Sequence, residues 1–142
     1  MIQSNPAAIR KPIPGIDAQV RNVLARFSDI SLALLFGSVA AGRQRADSDL
    51  DIAVAANHPL SSAEKIAITQ ALAELTGRPI DLIDLATVTE PLLGQIVQHG
   101  RRLLGNDTLF AKLISRHLIE HADFMPIRDR VLAERRIAWI GK

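Results

Sequence analysis

Two aspartates, Asp49 and Asp51, stand at spacing i, i+2 at the head of an apolar run, Ile52 to Ala56. Alternate residues of a strand project from one face, so their carboxylates would point the same way. Two such charges side by side are costly unless a cation lies between them, and hard oxygen ligands of this kind suit Mg²⁺, which takes one or two carboxylates plus substrate phosphates. Upstream, a second apolar run, Ile30 to Phe36, stops abruptly at Gly37-Ser38, and ten residues separate Ser38 from Asp49. Gly37 permits a tight turn and a close backbone approach. Ser38, at the start of a short helix, would offer a hydroxyl and free N–H groups to phosphate oxygens. A third carboxylate, Asp81, lies in the next apolar run, Ile80 to Leu85. If the two aspartate-bearing strands are neighbours, Asp81 can complete a metal site or accept the proton of an attacking hydroxyl. A phosphate site beside a divalent-cation site points to nucleotide chemistry.

The elements that must position these groups follow from periodicity. Ile16, Val20, Val23, Leu24 and Phe27 fall at helical spacing, with Asp17 as a candidate cap. Ile30–Phe36 and Asp49–Ala56 read as buried strands, joined by one or two helical turns that leave at Gly42 and by a polar loop, Arg43 to Ser48. Ser61 and Glu64 stand at capping-box spacing before a helix that reaches about Leu75, with Ile66, Leu72 and Leu75 expected inward and Gly77 ending it. Ile80–Leu85 is a third strand. Val88–Gln98 is a short helix with Pro91 in its first turn, and Arg101–Leu104 is a short fourth strand or a turn. Asp107 to about Ile140 reads mainly as helix, capped by Asp107 or Thr108, with Leu109, Leu113, Ile114, His117, Leu118 and His121 along one face and Pro126 kinking or dividing it. Three parts result: a flexible arm over 1–15, a core over 16–106, and a C-terminal helical segment over 107–142 that packs on the core or on a partner.

Composition bounds the rest. The chain has 142 residues, seventeen basic and fifteen acidic, so its near-neutral balance does not favour non-specific nucleic-acid binding. Cysteine is absent, which removes disulfides and thiolate metal sites and fits a reducing compartment. No run approaches the ~20 apolar residues of a membrane span, and Met1–Ile16 lacks the apolar stretch of a signal peptide. The expectation is a soluble, cytoplasmic protein. Among the histidines, His117 and His121 share an i, i+4 spacing without a third ligand nearby, and read as helix-face residues rather than a zinc site. Asp84 rivals Asp81 as the third carboxylate, but strand alternation puts the two on opposite faces.

The pattern Gly-Ser-x-Ala-x-Gly-x5-Ser-Asp-x-Asp-x-x-Val, built here from Gly37, Ser38, Gly42, Ser48, Asp49, Asp51 and Val54, resembles the signature of the minimal nucleotidyltransferase (MNT) family within the DNA polymerase beta superfamily. Ile80-Asp81-Leu82 fits that family's third-carboxylate strand, and Ala122-Asp123-Phe124 resembles the tail of MntA-type antitoxins of HEPN–MNT toxin–antitoxin systems. The resemblance spans about Leu32 to Phe124. It implies an α+β nucleotidyltransferase fold, a small mixed sheet of three to four strands flanked by helices, with ATP as substrate, Mg²⁺ as cofactor, and transfer of AMP.

In that family the acceptor is a tyrosine of a partner HEPN ribonuclease toxin, which the modification silences. Carried over, Gly37 and Ser38 would bind the triphosphate, with Arg43 beside them. Asp49 and Asp51 would bind the metal, with Asp81 completing that set and activating the acceptor hydroxyl. Arg43 and Arg45 could contact phosphate or toxin, or be solvated loop charges. The basic tail (Arg128, Arg130, Arg135, Arg136) and Trp139 could meet the toxin or remain a solvated face and a packing plug. Two other functions stay open: an antitoxin acting by stoichiometric occlusion alone, and a small-molecule nucleotidyltransferase, which usually carries a further substrate-binding domain.

Overall fold

The computed structural model describes residues 15–42 and 48–140, with the side chains of 124–127, 129 and 134–140 outside that description. The expected N-terminal arm, the arginines Arg43 and Arg45, and the Trp139 side chain therefore lie outside the described residues. In chain order the elements are α1 (Ile16–Leu24), β1 (Ile30–Phe36), α2 (Gly37–Ala40), β2 (Leu50–Ala56), α3 (Ser62–Thr76), β3 (Ile80–Asp84), α4 (Leu92–His99), β4 (Arg101–Leu104) and α5 (Asp107–Ile140). The four strands form one mixed sheet in the order β3-β2-β1-β4. β1 runs antiparallel to both β2 and β4, while β2 and β3 are parallel. The expected α+β class and its small mixed sheet are present.

Strand alternation divides the core into two layers. On one face Ala33, Leu35, Leu50, Ile52 and Val54 pack with Val20, Val23 and Leu24 of α1 and Ile68 and Leu72 of α3. On the other, Leu32, Leu34, Phe36 and Ala53 pack with Leu93 and Ile96 of α4 and Leu113 of α5. Each fully buried aliphatic side chain contributes about 1.5–3 kcal/mol. Because Asp51 lies between Leu50 and Ile52, it faces the layer of α4 and α5.

Several local expectations hold and others change. The capping box of α3 is complete: Glu64 N donates to Ser61 Oγ at 3.1 Å, and Ser61 N donates to Glu64 Oε1 at 2.8 Å. Its inward face differs from the expected one. Ile68 and Leu72 are buried, whereas Ile66 is 59% and Leu75 41% exposed. Apolar residues lie all round this helix, and the position of α1 and the sheet selects the buried pair. Asp17 does not cap α1; its carboxylate instead accepts two bonds from Arg101, from Nη2 at 3.0 Å and Nε at 3.1 Å. Asn106, rather than Asp107 or Thr108, caps α5, its Oδ1 accepting from Leu109 N at 2.9 Å.

Of the kink or division expected at Pro126, the division is absent: the helix is continuous from Asp107 to Ile140. A proline inside a helix removes one backbone hydrogen bond, and the helix-favouring Ala, Leu, Glu and Arg residues that follow sustain the remaining turns. The first half of α5 is fastened to the core by polar contacts as well as by Leu113. The Arg116 guanidinium donates to the carbonyls of Leu85 and Val88. The buried His117 meets the buried Glu90 carboxylate, Nδ1 to Oε2, at 3.0 Å. Leu118, expected along one face with Leu113 and His117, is exposed where those two are buried.

Candidate active site

The topology brings three sequence-distant residues into one row. The C-terminal end of β1 meets the N-terminal ends of β2 and β3, with Phe36 opposite Asp51 and Asp51 opposite Asp81. Neighbouring strands lie about 4.8 Å apart, and paired residues on adjacent parallel strands project from the same face. Leu50 N donates to Pro79 O at 2.9 Å, which holds the start of β2 against the start of β3. An Arg78 Nη1 contact to Ser48 O at 3.4 Å secures the residue before Asp49.

Asp51 is half-buried, with Asp49 and Asp81 exposed beside it. Its carboxyl is pushed up to about 6, first by burial, then by the charge of Asp81 and a hydrogen bond to it, then by the charge of Asp49. Asp81 and Asp49 are thus each close enough to act on Asp51, and both charges are negative. Carboxylate oxygens are the hard donors that Mg²⁺ takes, and a divalent cation would relieve the repulsion that Asp81 and Asp49 exert on Asp51.

Gly37 makes the approach of β1 to this row possible. Its φ of 77° lies in the left-handed region. A Cβ placed on it would stand 2.0 Å from Asp51 Oδ2. Any side chain there would be strained by this backbone conformation and would have to push the Asp51 carboxylate aside. Ser38 follows in the first turn of α2, and Arg101 steadies that turn from behind, donating from Nη1 to Ala40 O at 3.4 Å while paired with Asp17.

In front of the turn lies a cleft of about 530 Å³ lined by Phe36, Gly37, Ser38, Ala41, Asp51, Gln95 and His99. That volume falls in the range of small-molecule sites. The cleft joins Gly37, Ser38 and Asp51, with Asp81 and Asp49 flanking Asp51. Arg43 lies outside the described residues. Gln95 and His99 are the residues that sequence reasoning missed. Their i, i+4 spacing marks one face of α4, but only the packing of α4 on β1 shows that this face borders the cleft.

Asp84 has a different occupation. It is 4% exposed, and its carboxylate accepts from Leu60 N at 2.8 Å and Ala86 N at 2.9 Å. It pairs in register with Val54 and so belongs to the opposite face of the sheet from Asp81. A separate group, Asp29, His58 and Glu64, has ligand atoms within 4.8 Å of one another. It sits by the Ile30–Ala56 end of the sheet, away from Gly37, and there Glu64 is already engaged by His58 and the α3 cap.

Residues 18–109 match the family model described as polymerase beta, nucleotidyltransferase, which covers more than half of the chain and includes the whole carboxylate row. The chain belongs to the polymerase beta-like nucleotidyltransferase family. Among curated members of this nucleotidyltransferase family, it is 37% identical over 108 residues to the protein adenylyltransferase MntA of Shewanella oneidensis, covering 73% of this chain and 78% of that one. A solved toxin–antitoxin structure with AMP-PNP contains a chain of the same fold, with TM-score 0.69, 31% identity, and coverage of 82% of this chain and 98% of that one. A second solved complex, of a tri-AMPylated Shewanella oneidensis HEPN toxin with an MNT antitoxin, matches with TM-score 0.64 and 30% identity over 82% of this chain and 96% of that one. Among the described residues, no helix is long and apolar enough to cross a membrane.

Proposed function

We propose that this nucleotidyltransferase is the antitoxin of a HEPN-type ribonuclease toxin and silences it by transferring AMP from ATP to a toxin tyrosine. The observation that carries this reading is the Asp51–Asp81 pair beside the Gly37–Ser38 turn: two carboxylates in register on neighbouring strands stand at a cleft of about 530 Å³ that the turn lines. The relatives support the choice of acceptor, since one is named a protein adenylyltransferase and another is solved with an AMPylated HEPN toxin.

In the proposed reaction, the Gly37–Ser38 turn receives the triphosphate, with the close backbone approach that Gly37 allows. Asp49 and Asp51, with Asp81 completing the set, would hold Mg²⁺, which would supply charge neutralisation at the phosphates. Asp81 accepts the proton of the tyrosine hydroxyl. The phenolic oxygen forms a bond to the α-phosphorus as the bond from that phosphorus to the β-phosphate bridging oxygen breaks, and pyrophosphate leaves with the electron pair. A tyrosine hydroxyl has a pKa near ~10, so a nearby base lowers the cost of forming its nucleophilic state. Most of the remaining acceleration comes from holding acceptor and phosphorus in line.

The test is incubation of the protein and its cognate toxin with labelled ATP and Mg²⁺, comparing wild type with the Asp49→Ala/Asp51→Ala double variant. Label on a toxin tyrosine with wild type, together with loss of label and of neutralisation with the variant, is the expected result. An unlabelled toxin that the double variant still neutralises would establish occlusion in place of catalysis.

A further inference from the structure

Across the sheet, Asp81 stands on one side of Asp51, and Phe36, with the Gly37–Ser38 turn that follows it, on the other. α4 covers this second side, where Gln95 and His99 line the cleft with Ser38 and Asp51. The wall they form is fixed: Leu93 and Ile96 of the same helix are fully buried. Glu90, just before α4, is paired with His117 of α5. A Cβ on Gly94 would come within 2.8 Å of the His117 ring. Both polar side chains are exposed on the cleft side of a helix that cannot easily turn.

Nucleotidyl transfer proceeds in line, so the attacking and leaving oxygens lie on opposite sides of the α-phosphorus. With Asp81 as base on the β3 side, the leaving group must face the β1 and α4 side. We propose that His99, supported by Gln95, binds the β- and γ-phosphates of ATP and stabilises the departing pyrophosphate from the α4 wall. This assignment rests on the nucleotidyl-transfer reading above. An imidazole N–H and a carboxamide N–H₂ are both donors suited to phosphate oxygens. As the α–β bond breaks, the bridging oxygen gains the electron pair, and a hydrogen bond from His99 strengthens as that charge grows. Gln95 holds the adjacent phosphate, and neither residue touches the acceptor.

Calorimetric titration with the non-hydrolysable analogue AMP-PNP and, separately, with AMP tests the assignment on wild type, His99→Ala, His99→Gln and Gln95→Ala. His99→Ala should weaken AMP-PNP by about tenfold, the cost of a lost hydrogen bond to a charged group, while leaving AMP within twofold. His99→Gln, which keeps a donor, should recover part of the loss, and Gln95→Ala should show a smaller one. Because His99 is exposed, its melting midpoint should not move; if alanine lowers it, the glutamine variant carries the test. Equal losses for AMP-PNP and AMP would place His99 against the nucleoside and overturn the proposal, as would no loss for either ligand. Wild type that binds neither ligand would overturn the nucleotide reading itself, and this inference with it.

Discussion

The Asp51 carboxylate lies so close over the Gly37 backbone that a methyl group there would stand 2.0 Å from Oδ2. The two halves of the candidate site, turn and carboxylate-bearing strand, are therefore a single packed unit. Gly37→Ala should displace Asp51 or the turn. A misplacement of this kind costs about a hundredfold in turnover, and forcing alanine into the left-handed region adds about 1–3 kcal/mol of strain. Steady-state AMP transfer and urea unfolding measure the two effects. Retention of near wild-type turnover would show that the close approach is not needed.

Asp84 and Asp81 should part company on mutation. Asp84→Ala leaves the N–H groups of Leu60 and Ala86 without their acceptor, and each lost bond at this buried site costs about 1–3 kcal/mol. Asp81→Ala removes an exposed charge that repels Asp51 and should leave stability level or slightly raised. Chemical denaturation of both variants checks this.

The site was legible where the physics is local. Gly37-Ser38 marks the end of an apolar run with no tertiary knowledge required; of the Asp49-x-Asp51 pair, Asp51 lies in β2, and Asp49, expected to open that strand, stands just before it. Strand alternation alone put Asp81 and Asp84 on opposite faces, as their registers show. What the sequence could not settle depends on distant partners. Asp17 was suited to cap α1 until Arg101, 84 residues away, claimed its carboxylate. Asn106, Asp107 and Thr108 are three consecutive cap formers, and backbone geometry chooses the first. Gln95 and His99 gain their place from the packing of α4 on β1.

The pH response follows from Asp51. Its folded value is raised, from 3.8 to about 6. A raised carboxyl stabilises the fold fully below its unfolded value, and that contribution is lost as pH rises through about 6. Mg²⁺ binding requires the deprotonated carboxylate, so it has the opposite trend and should weaken as pH falls below about 6. Melting midpoints with and without Mg²⁺ between pH 4.5 and 7.5 should therefore show metal stabilisation at the upper end that fades at the lower, in buffers spanning that range around Asp51. A metal effect that is constant across the series would contradict this.

The buried contact between His117 and Glu90 should govern how firmly α5 is attached. His117→Ala leaves the Glu90 carboxylate, 4% exposed, with the longer 4.0 Å contact to His121 in place of the 3.0 Å one, and also opens a void beside Gly94. The expected loss is about 2–4 kcal/mol. Hydrogen exchange should localise the loosening to the first half of α5 and to α4. Uniform destabilisation of the whole chain would argue against a local fastening.

The most direct test of the account is the single-turnover rate of AMP transfer to the toxin by Asp81→Asn, with ATP affinity measured in parallel. Loss of a general base costs about 10²- to 10⁴-fold in rate, and ATP affinity should stay within a few-fold of wild type. An Asp81→Asn protein that modifies the toxin as fast as wild type would contradict the assignment of the Asp51–Asp81 pair as the reacting centre.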